Sequence, residues 1–270
     1  MTRRSSLAWP IALAFICAGC SGAPPELGGG VAGGATSGLS TEGQGAAGQA
    51  FGDASGTGAK EAAPFNPFAD PAAVAPGGRQ VIANPTFDEV MQAGPLPEMT
   101  QGRPDAPVTI VEYASLTCPH CRHFHETVYP QLKREFIDTG KVRYILREFP
   151  IGKQSGNATI ALRCAKPEMY FDLYGRFMAQ QAAWVSQEVR LEPIFAVAKQ
   201  AGLTQDEWDR CLRNETLIEA LKAIKERGRT LGIIGTPNFF VGRELVKREL
   251  TIEDIRAIVA AGGAAAQKTP

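Results

Sequence analysis

Short apolar runs and helical spacing alternate along the second half of the chain. Val108 to Ala114 is a mostly apolar run with β-branched residues that follows Pro104 and Pro107, which predicts a buried strand. Lys141 to Phe149 predicts a second strand, which ends at Pro150. Strands that alternate with helical patterns are typical of an α/β architecture.

The segment between these two strands predicts an amphipathic helix. Its apolar side chains recur every four residues, at Phe124, Val128, Leu132 and Phe136. Gly140 is expected to end the helix. Pro130 lies inside the pattern, and we expect a kink there because proline has no N–H to donate to the preceding turn.

The stretch from about residue 155 to residue 231 carries one helical pattern after another and no strand-like alternation, which predicts an inserted helical subdomain. Its apolar side chains fall on helical faces, for example at Tyr170, Leu173, Tyr174 and Phe177. We interpret these faces as core. Because helical spacing explains the aromatic side chains without a ligand, we expect no cofactor.

A β-hairpin and one further helix are predicted after the insertion. Asn238 to Val241 and Leu245 to Lys247 flank Gly242 and have the pattern of two paired strands. The last helix is expected to begin at Thr251, with Asp254 as the partner in a capping box. We therefore interpret residues 79–270 as one α/β domain that contains a helical subdomain.

The balance of charge adds a restriction on partners. The chain has 28 Lys and Arg against 28 Asp and Glu, which does not indicate a nucleic-acid partner. The longest apolar run, Leu7 to Gly19, has 13 residues. A bilayer span needs about 20 apolar residues, so a polytopic membrane protein is excluded.

The apolar run follows Arg3 and Arg4 and ends in small residues, which predicts an export signal over residues 1–19. Residues 17–20, Cys-Ala-Gly-Cys, resemble a bacterial lipobox, in which cleavage before Cys20 would leave this cysteine to carry the lipid. A plain cleaved signal and a twin-arginine signal are the alternatives. Each of them predicts a protein outside the cytoplasm, and the lipobox predicts a lipoprotein anchored to a membrane and facing the periplasm.

Residues 20–78 predict a tether. Between Ser21 and Ala63 there are 13 glycines among 43 residues, with few large aliphatic side chains. Burial of such a segment could not offset the entropy lost on ordering it. A neutral spacer without a binding role is the simplest interpretation.

The chemistry of the chain is concentrated in Cys118-Pro119-His120-Cys121, at a predicted strand-to-helix junction. At a helix N-terminus, unpaired N–H groups and the helix dipole stabilise a thiolate, so Cys118 is the expected nucleophile. Cys121, one turn further and less exposed, is expected to resolve a mixed disulfide on Cys118. His120 is expected to add a donor or a partial positive charge near the Cys118 thiolate.

This motif after an apolar strand, followed by a helical insertion and by Gly235-Thr236-Pro237 before a hairpin, resembles the DsbA-like branch of the thioredoxin fold over about residues 108–261. The resemblance implies an α/β thioredoxin fold with an inserted α-helical subdomain. It also implies that Cys118 is catalytic, that Cys121 resolves, and that Pro237 follows a cis peptide bond. Thr236 would then offer its backbone to a substrate strand. A trans turn proline is the alternative for Pro237.

Glu112 lies six residues before Cys118, where members of this family carry a buried acid that helps the resolving cysteine exchange protons. A carboxylate inside an apolar strand is uncommon and is consistent with such a role. The alternative is an exposed residue near the strand end, because the sequence does not distinguish the two faces of the strand.

Cys164 and Cys211 are both in the predicted insertion, 47 residues apart. In an oxidising compartment they are expected to form a structural disulfide, which some relatives in the DsbA-like branch carry in this region. Two small buried hydrophobic side chains are the alternative.

The same region admits a rival function. Cys118, Cys121, His123 and His125 provide sulfur and nitrogen ligands that zinc or copper accepts. Structural zinc ligands, however, usually come as two short pairs separated by a loop, and we expect no metal.

The sequence therefore predicts a periplasmic enzyme, a thiol:disulfide oxidoreductase that introduces disulfides into exported proteins with thiols and is reoxidised by a redox partner. Thr236 before the proline is more typical of reductases and isomerases, so the opposite direction stays open. No dimerisation domain is recognisable before Arg79, which favours a monomer. A metal-binding module is the alternative from another class.

Overall fold

The computed structural model describes residues 80–92 and 94–262. The predicted signal at 1–19, the lipidation candidate Cys20 and the predicted tether at 20–78 lie outside the described residues. Within the described ranges, no helix has the length and apolar character that a membrane crossing requires.

A five-stranded mixed sheet forms the centre of the described domain. The strands are β1 (Met99–Gln101), β2 (Val108–Ala114), β3 (Val142–Glu148), β4 (Asn238–Val241) and β5 (Glu244–Val246). Their order across the sheet is β1-β3-β2-β4-β5, with β2 and β3 parallel and every other pair antiparallel. The central strand β2 is buried along its whole length, as its apolar run predicted.

The described helices surround this sheet. They are α1 (Phe87–Met91), α2 (Pro119–Thr127), α3 (Tyr129–Leu132), α4 (Gly152–Cys164), α5 (Tyr170–Ala179), α6 (Gln181–Trp184), α7 (Leu191–Ala198), α8 (Gln205–Leu212), α9 (Glu215–Thr230) and α10 (Ile252–Ala260). Helices α4 to α9 lie between β3 and β4 in the sequence, so a helical insertion interrupts the sheet-forming chain. The expected fold class, a thioredoxin fold with a helical subdomain, is confirmed.

The helix predicted between β2 and β3 is divided. α2 ends at Thr127, α3 begins at Tyr129, and a π-helical turn, Lys133–Ile137, completes the segment. Pro130 lies just past the division and has no N–H for the turn before it, which agrees with the predicted kink. Gly140 follows with φ 74°, a left-handed conformation that a side chain disfavours.

Two elements of the sheet differ from the prediction or extend it. β1 was not predicted, because three residues are too few to show a periodicity, and it exists through antiparallel pairing with β3. The second hairpin strand, β5, spans Glu244–Val246 instead of the predicted Leu245 to Lys247. The predicted capping box of α10 is present, with Thr251 and Asp254 exchanging hydrogen bonds.

The sheet separates two apolar clusters. On one face of β2, Val108, Ile110 and Ala114 pack in the large cluster with α2 and the helical insertion. On the other face, Val111 and Tyr113 belong to a smaller cluster. The period of two along the strand decides which residues face the insertion.

A disulfide joins Cys164, at the end of α4, to Cys211, in the last turn of α8, with the two Cα atoms 6.2 Å apart. The predicted pairing is thus observed. The bridge connects two helices of the insertion and lies outside the sheet.

Candidate active site

Cys118 is the N-cap residue of α2, immediately after a tight turn that leaves β2. The backbone N–H of Cys118 donates to the Ser115 carbonyl at 3.0 Å, which closes this turn. Pro119 is the first residue of the helix, where a missing N–H costs nothing. The local sequence therefore presents the sulfur at the positive end of a helix, as predicted.

The helical insertion also holds this turn. Gln181, the first residue of α6, donates from its amide nitrogen to the carbonyls of Leu116 at 2.8 Å and Cys118 at 3.1 Å. Sequence analysis missed Gln181, because no local pattern relates it to a turn more than sixty positions earlier. It is a tertiary contact that restrains the nucleophile's backbone.

The Cys118 sulfur is half-buried and its surroundings favour the thiolate. A hydrogen bond from the Cys121 thiol lowers the pKa of Cys118 to about 5, although burial acts in the opposite direction. The Thr236 side chain and the backbone N–H groups of Cys121 and His120 act in the same direction as the Cys121 thiol. These N–H groups are the unpaired donors of the first helical turn.

The expected contribution of the His120 imidazole is not what lowers this pKa. Its side chain is 75% exposed and its Nδ1 lies 3.9 Å from the Glu249 carboxylate. The contribution of His120 to the pKa of Cys118 comes from its backbone N–H. The predicted contribution of the imidazole is therefore not observed, and the donor at this position is the main-chain N–H.

Cys121 has the opposite environment. It is fully buried, and burial raises the pKa of its thiol well above the usual value, with the Cys118 sulfur and Glu112 acting in the same direction. The two thiols of the motif are free in this structure. One turn of helix therefore separates an acidic thiol from a buried, protonated one.

The loop before β4 closes the other side of the site. The Thr236–Pro237 bond is cis, as the resemblance implied, so the trans alternative is wrong. The Cys118 thiol donates to the Thr236 carbonyl at 3.1 Å. This contact brings together residues that are 118 positions apart.

Glu112 lies on the β2 face that turns toward α2, and only 1% of its surface is exposed. The alternative of an exposed strand-end residue is therefore wrong. Its carboxylate accepts a hydrogen bond from the hydroxyl of Tyr144 on β3. Burial raises the pKa of Glu112 to about 8, the Tyr144 hydrogen bond opposes this shift, and the Cys118 charge adds to it.

The four residues of the rival metal site are not arranged as a ligand set. Among the described residues, no group of three or more His, Cys, Asp or Glu could hold a metal ion. His123 Nδ1 lies 2.5 Å from Glu249 Oε1, whereas the His125 ring stacks on Tyr129 with centroids 4.7 Å apart. Burial lowers the pKa of His125 to about 4, so this ring is neutral.

Exposed aliphatic side chains lie on segments that adjoin the turn before the dithiol and the cis-proline loop. Ile234 is 79% exposed and precedes the Gly235-Thr236-Pro237 loop. Ile151 and Val185 are also exposed, and they line a depression of about 300 Å³ that reaches Thr117 beside Cys118. Exposed apolar surface next to a reactive group is typical of a site that receives a polypeptide.

The arrangement can perform thiol:disulfide exchange. Cys118 carries a stabilised thiolate, which is both an accessible nucleophile and a good leaving group, while the buried Cys121 is positioned to close a ring with it. Glu112 is the buried acid on the same side of the sheet.

Comparison with known proteins supports this chemistry. A sequence model of the family described as thioredoxin matches residues 96–261. A Rickettsia bellii protein named protein-disulfide oxidoreductase is 36% identical over 146 residues, which are 53% of this chain and 56% of the relative. The chain spans about half the length of the curated relatives it matches.

Solved structures show the same fold. The crystal structure of Wolbachia pipientis alpha-DsbA1 superposes with a TM-score of 0.60 at 28% identity, covering 67% of this chain and 98% of that one. The oxidised form of BdbD from Bacillus subtilis has a TM-score of 0.58 at 21% identity, covering 69% of this chain and 100% of the other, which shows the fold alone.

Proposed function

Because the chain belongs to the thioredoxin family, in its DsbA-like branch of thiol:disulfide oxidoreductases, we propose that it is an enzyme that donates the Cys118–Cys121 disulfide to exported proteins. The observation that carries this proposal is the contrast between the two thiols. Stabilisation of the Cys118 thiolate favours the reduced pair, which makes the corresponding disulfide a stronger oxidant.

The proposed reaction has two exchange steps. A substrate thiolate attacks Cys118 in the Cys118–Cys121 disulfide, a substrate–Cys118 disulfide forms, and Cys121 leaves as a thiolate that takes a proton from Glu112. A second substrate thiolate then attacks the substrate sulfur and expels the Cys118 thiolate. The substrate gains one disulfide and the enzyme is left as a dithiol. A partner disulfide or another oxidant must restore it.

Supporting roles follow from the contacts of the site. Pro119 is the first residue of α2, where its missing N–H is tolerated. The next N–H groups, those of His120 and Cys121, are directed at the Cys118 sulfur. Thr236 offers a carbonyl at the sulfur, and in the proposed complex the backbone beside Pro237 pairs with the substrate strand. The exposed Ile151, Val185 and Ile234 support unfolded proteins as substrates.

The proposed location follows from the N-terminal sequence. The export pattern over 1–19 and the lipobox ending at Cys20 support a lipoprotein that faces the periplasm on a tether of residues 20–78. An oxidising compartment agrees with the Cys164–Cys211 disulfide. The proposed enzyme acts as a monomer.

The test is the equilibrium reduction potential of the full chain in glutathione buffers. A reduction potential near that of DsbA, about −120 mV, supports the proposal that the chain donates disulfides. A reduction potential near that of thioredoxin, about −270 mV, contradicts it. Intact mass with a thiol-blocking reagent counts the thiols at each point. A variant with Cys164→Ala and Cys211→Ala is the matched control, because it has only the motif pair in the described domain.

A reducing couple would favour the second candidate, a reductase or isomerase of the same fold. The residue before the cis proline favours this candidate, since Thr236 is more typical of those enzymes. In that direction the reduced Cys118 attacks a substrate disulfide, and a reducing partner keeps the dithiol reduced.

A further inference from the structure

Two buried glutamates of the described domain differ in how their charge is compensated. Glu148, at the end of β3, accepts two hydrogen bonds from the Arg163 guanidinium and one from Tyr170. Within residues 80–92 and 94–262, no cation pairs with Glu112, and its one described hydrogen bond comes from Tyr144. The second oxygen, Oε1, has no hydrogen-bond partner among the described residues.

The position of Tyr144 is set by the sheet. Tyr144 and Glu112 lie on neighbouring parallel strands and on the same face, which carries the large apolar cluster toward α2. The Tyr144 side chain is 1% exposed, so its hydroxyl cannot turn to solvent. Its ring packs against Tyr129, with centroids 5.3 Å apart. The hydroxyl is therefore held on one oxygen of the carboxylate.

Several titratable groups act on this carboxyl, or are acted on by it, from the elements packed around it. They are Cys118 at the N-cap of α2, Cys121 of α2, Tyr129 of α3, Tyr144 of β3, Tyr170 and Tyr174 of α5, and Glu249 before α10. None of these groups of the described domain is a cation. A hydroxyl donor is therefore the group that stabilises the ionised carboxylate in this environment.

We propose that Tyr144 is the positioning residue that favours the ionised form of Glu112 by donating to one oxygen, leaving the other oxygen free to take the proton of Cys121. This deepens the proposed function and rests on it. In the step concerned, the Cys121 thiol loses its proton to Glu112, and the thiolate attacks the Cys118 sulfur of a mixed disulfide. The Cys118–Cys121 bond forms, the mixed disulfide breaks, and the bound thiol leaves as a thiolate.

The rate at which the Cys118–Cys121 bond forms should therefore depend on the Tyr144 hydroxyl. The Tyr144 hydrogen bond lowers the pKa of Glu112, against burial, which raises it to about 8. Loss of the hydroxyl raises this pKa, so less carboxylate is available near neutral pH. The free energy of a hydrogen bond to a charged group corresponds to a pKa shift of about one to two units. Below the midpoint, this shift lowers the rate of ring closure by about ten- to a hundredfold.

The experiment uses the reduced full chain and an aromatic disulfide, dithiobis-nitrobenzoate, in stopped flow. Attack by Cys118 releases the first coloured thiolate, and attack by Cys121 on the mixed disulfide releases the second. The two phases report the nucleophile and the resolving step separately. We expect Tyr144→Phe to leave the first phase unchanged and to move the pH midpoint of the second phase upward by about one to two units.

The matched control is Tyr170→Phe. It also removes a hydroxyl from a buried glutamate, but this glutamate, Glu148, is paired with Arg163. We expect wild-type kinetics in both phases. A second control combines Glu112→Gln with Tyr144→Phe. If Tyr144 acts through the carboxyl, the added substitution has no further effect on the second phase.

A fluorinated tyrosine at position 144 keeps the hydroxyl and the packing, and it keeps the test available if Tyr144→Phe does not fold. Its more acidic hydroxyl strengthens the hydrogen bond, and the midpoint should move downward. The inference is overturned if the midpoint moves in neither substituted protein, or if Tyr170→Phe moves it equally. If the wild-type protein shows no second phase at any pH, the proposed function itself fails.

Discussion

Cys118 and Cys121 lie across the first turn of α2, whereas Cys164 and Cys211 come from two helices and are 47 positions apart. The first pair is free and the second is bonded. Cys118 is at the N-terminal end of its helix, but Cys164 ends α4 and Cys211 lies in the last turn of α8. The helix dipole is positive at the first site and negative at the other two.

In this contrast, the free pair lies at a helix start and each cysteine of the bonded pair lies at a helix end. Free N–H groups at a helix start stabilise a thiolate and make a good leaving group. A helix end offers carbonyl groups, which disfavour a thiolate and therefore favour a bond that stays closed. The predictions below change one pair or the other, beginning with the largest expected effect.

Removal of the nucleophile should have the largest effect. We expect Cys118→Ser to lower the rate of disulfide transfer to a reduced protein by at least about a thousandfold, because no other described free thiol is accessible. The rate of reactivation of a reduced, unfolded substrate protein measures this. The control with Cys164→Ala and Cys211→Ala should retain activity where it is folded. Equal losses in both variants would contradict the division of roles.

Removal of the resolving thiol should trap an intermediate. In Cys121→Ala the Cys118 thiolate can attack a disulfide of an oxidised substrate protein, forming a mixed disulfide and expelling one substrate thiolate, but no thiol is present to close the ring, so the covalent complex accumulates. Non-reducing electrophoresis and intact mass measure the complex. The same substitution at Cys211 should trap none. A trapped complex through Cys164 would show that the bridge is also exchangeable.

Removal of the structural pair should change stability and leave the chemistry intact. Opening the 47-residue loop removes about 4 kcal/mol from the free energy of unfolding in chain-entropy theory. Urea unfolding of the oxidised protein and of the variant with Cys164→Ala and Cys211→Ala measures the difference. A loss below about 1 kcal/mol would mean that the bridge adds little to folding.

The pH dependence of alkylation should separate the two thiols of the motif. Since the pKa of Cys118 is lowered to about 5, its thiolate fraction rises through that pH and is nearly complete at neutral pH. The rate of alkylation by iodoacetamide should level off there, whereas an ordinary thiol titrates near about 8.5. Cys121→Ala removes the largest cause of the shift and should move the midpoint upward. A midpoint that stays in place would assign the shift to the helix terminus and Thr236.

The smallest effect is expected from the residues of the rival metal site. His123→Ala breaks an exposed contact with Glu249, which contributes at most about 1 kcal/mol to stability. Exchange activity should be unchanged by this substitution and by a strong chelator. If exchange activity fell with the chelator and returned with zinc, Cys118 and Cys121 would instead be interpreted as metal ligands.

Local sequence was sufficient for several features of the site. The bounds of β2, the start of α2 at the cysteine motif and the capping box at Thr251 depend on residues within a few positions of one another. β1 was missed because its three residues depend on pairing with β3. The partners Tyr144, Gln181 and Glu249 were also missed, since each reaches the site from another element.

The sequence by itself predicted which thiol is the nucleophile and determined the order of the two thiols on the helix, because the Cys121 thiol, the dipole and the free N–H groups belong to the first turn of α2. Only the tertiary structure decided that Glu112 is buried, that Tyr144 donates to it and that Thr236 reaches Cys118. Those facts depend on strand register and on a contact between residues that are 118 positions apart, and no local sequence pattern contains this information.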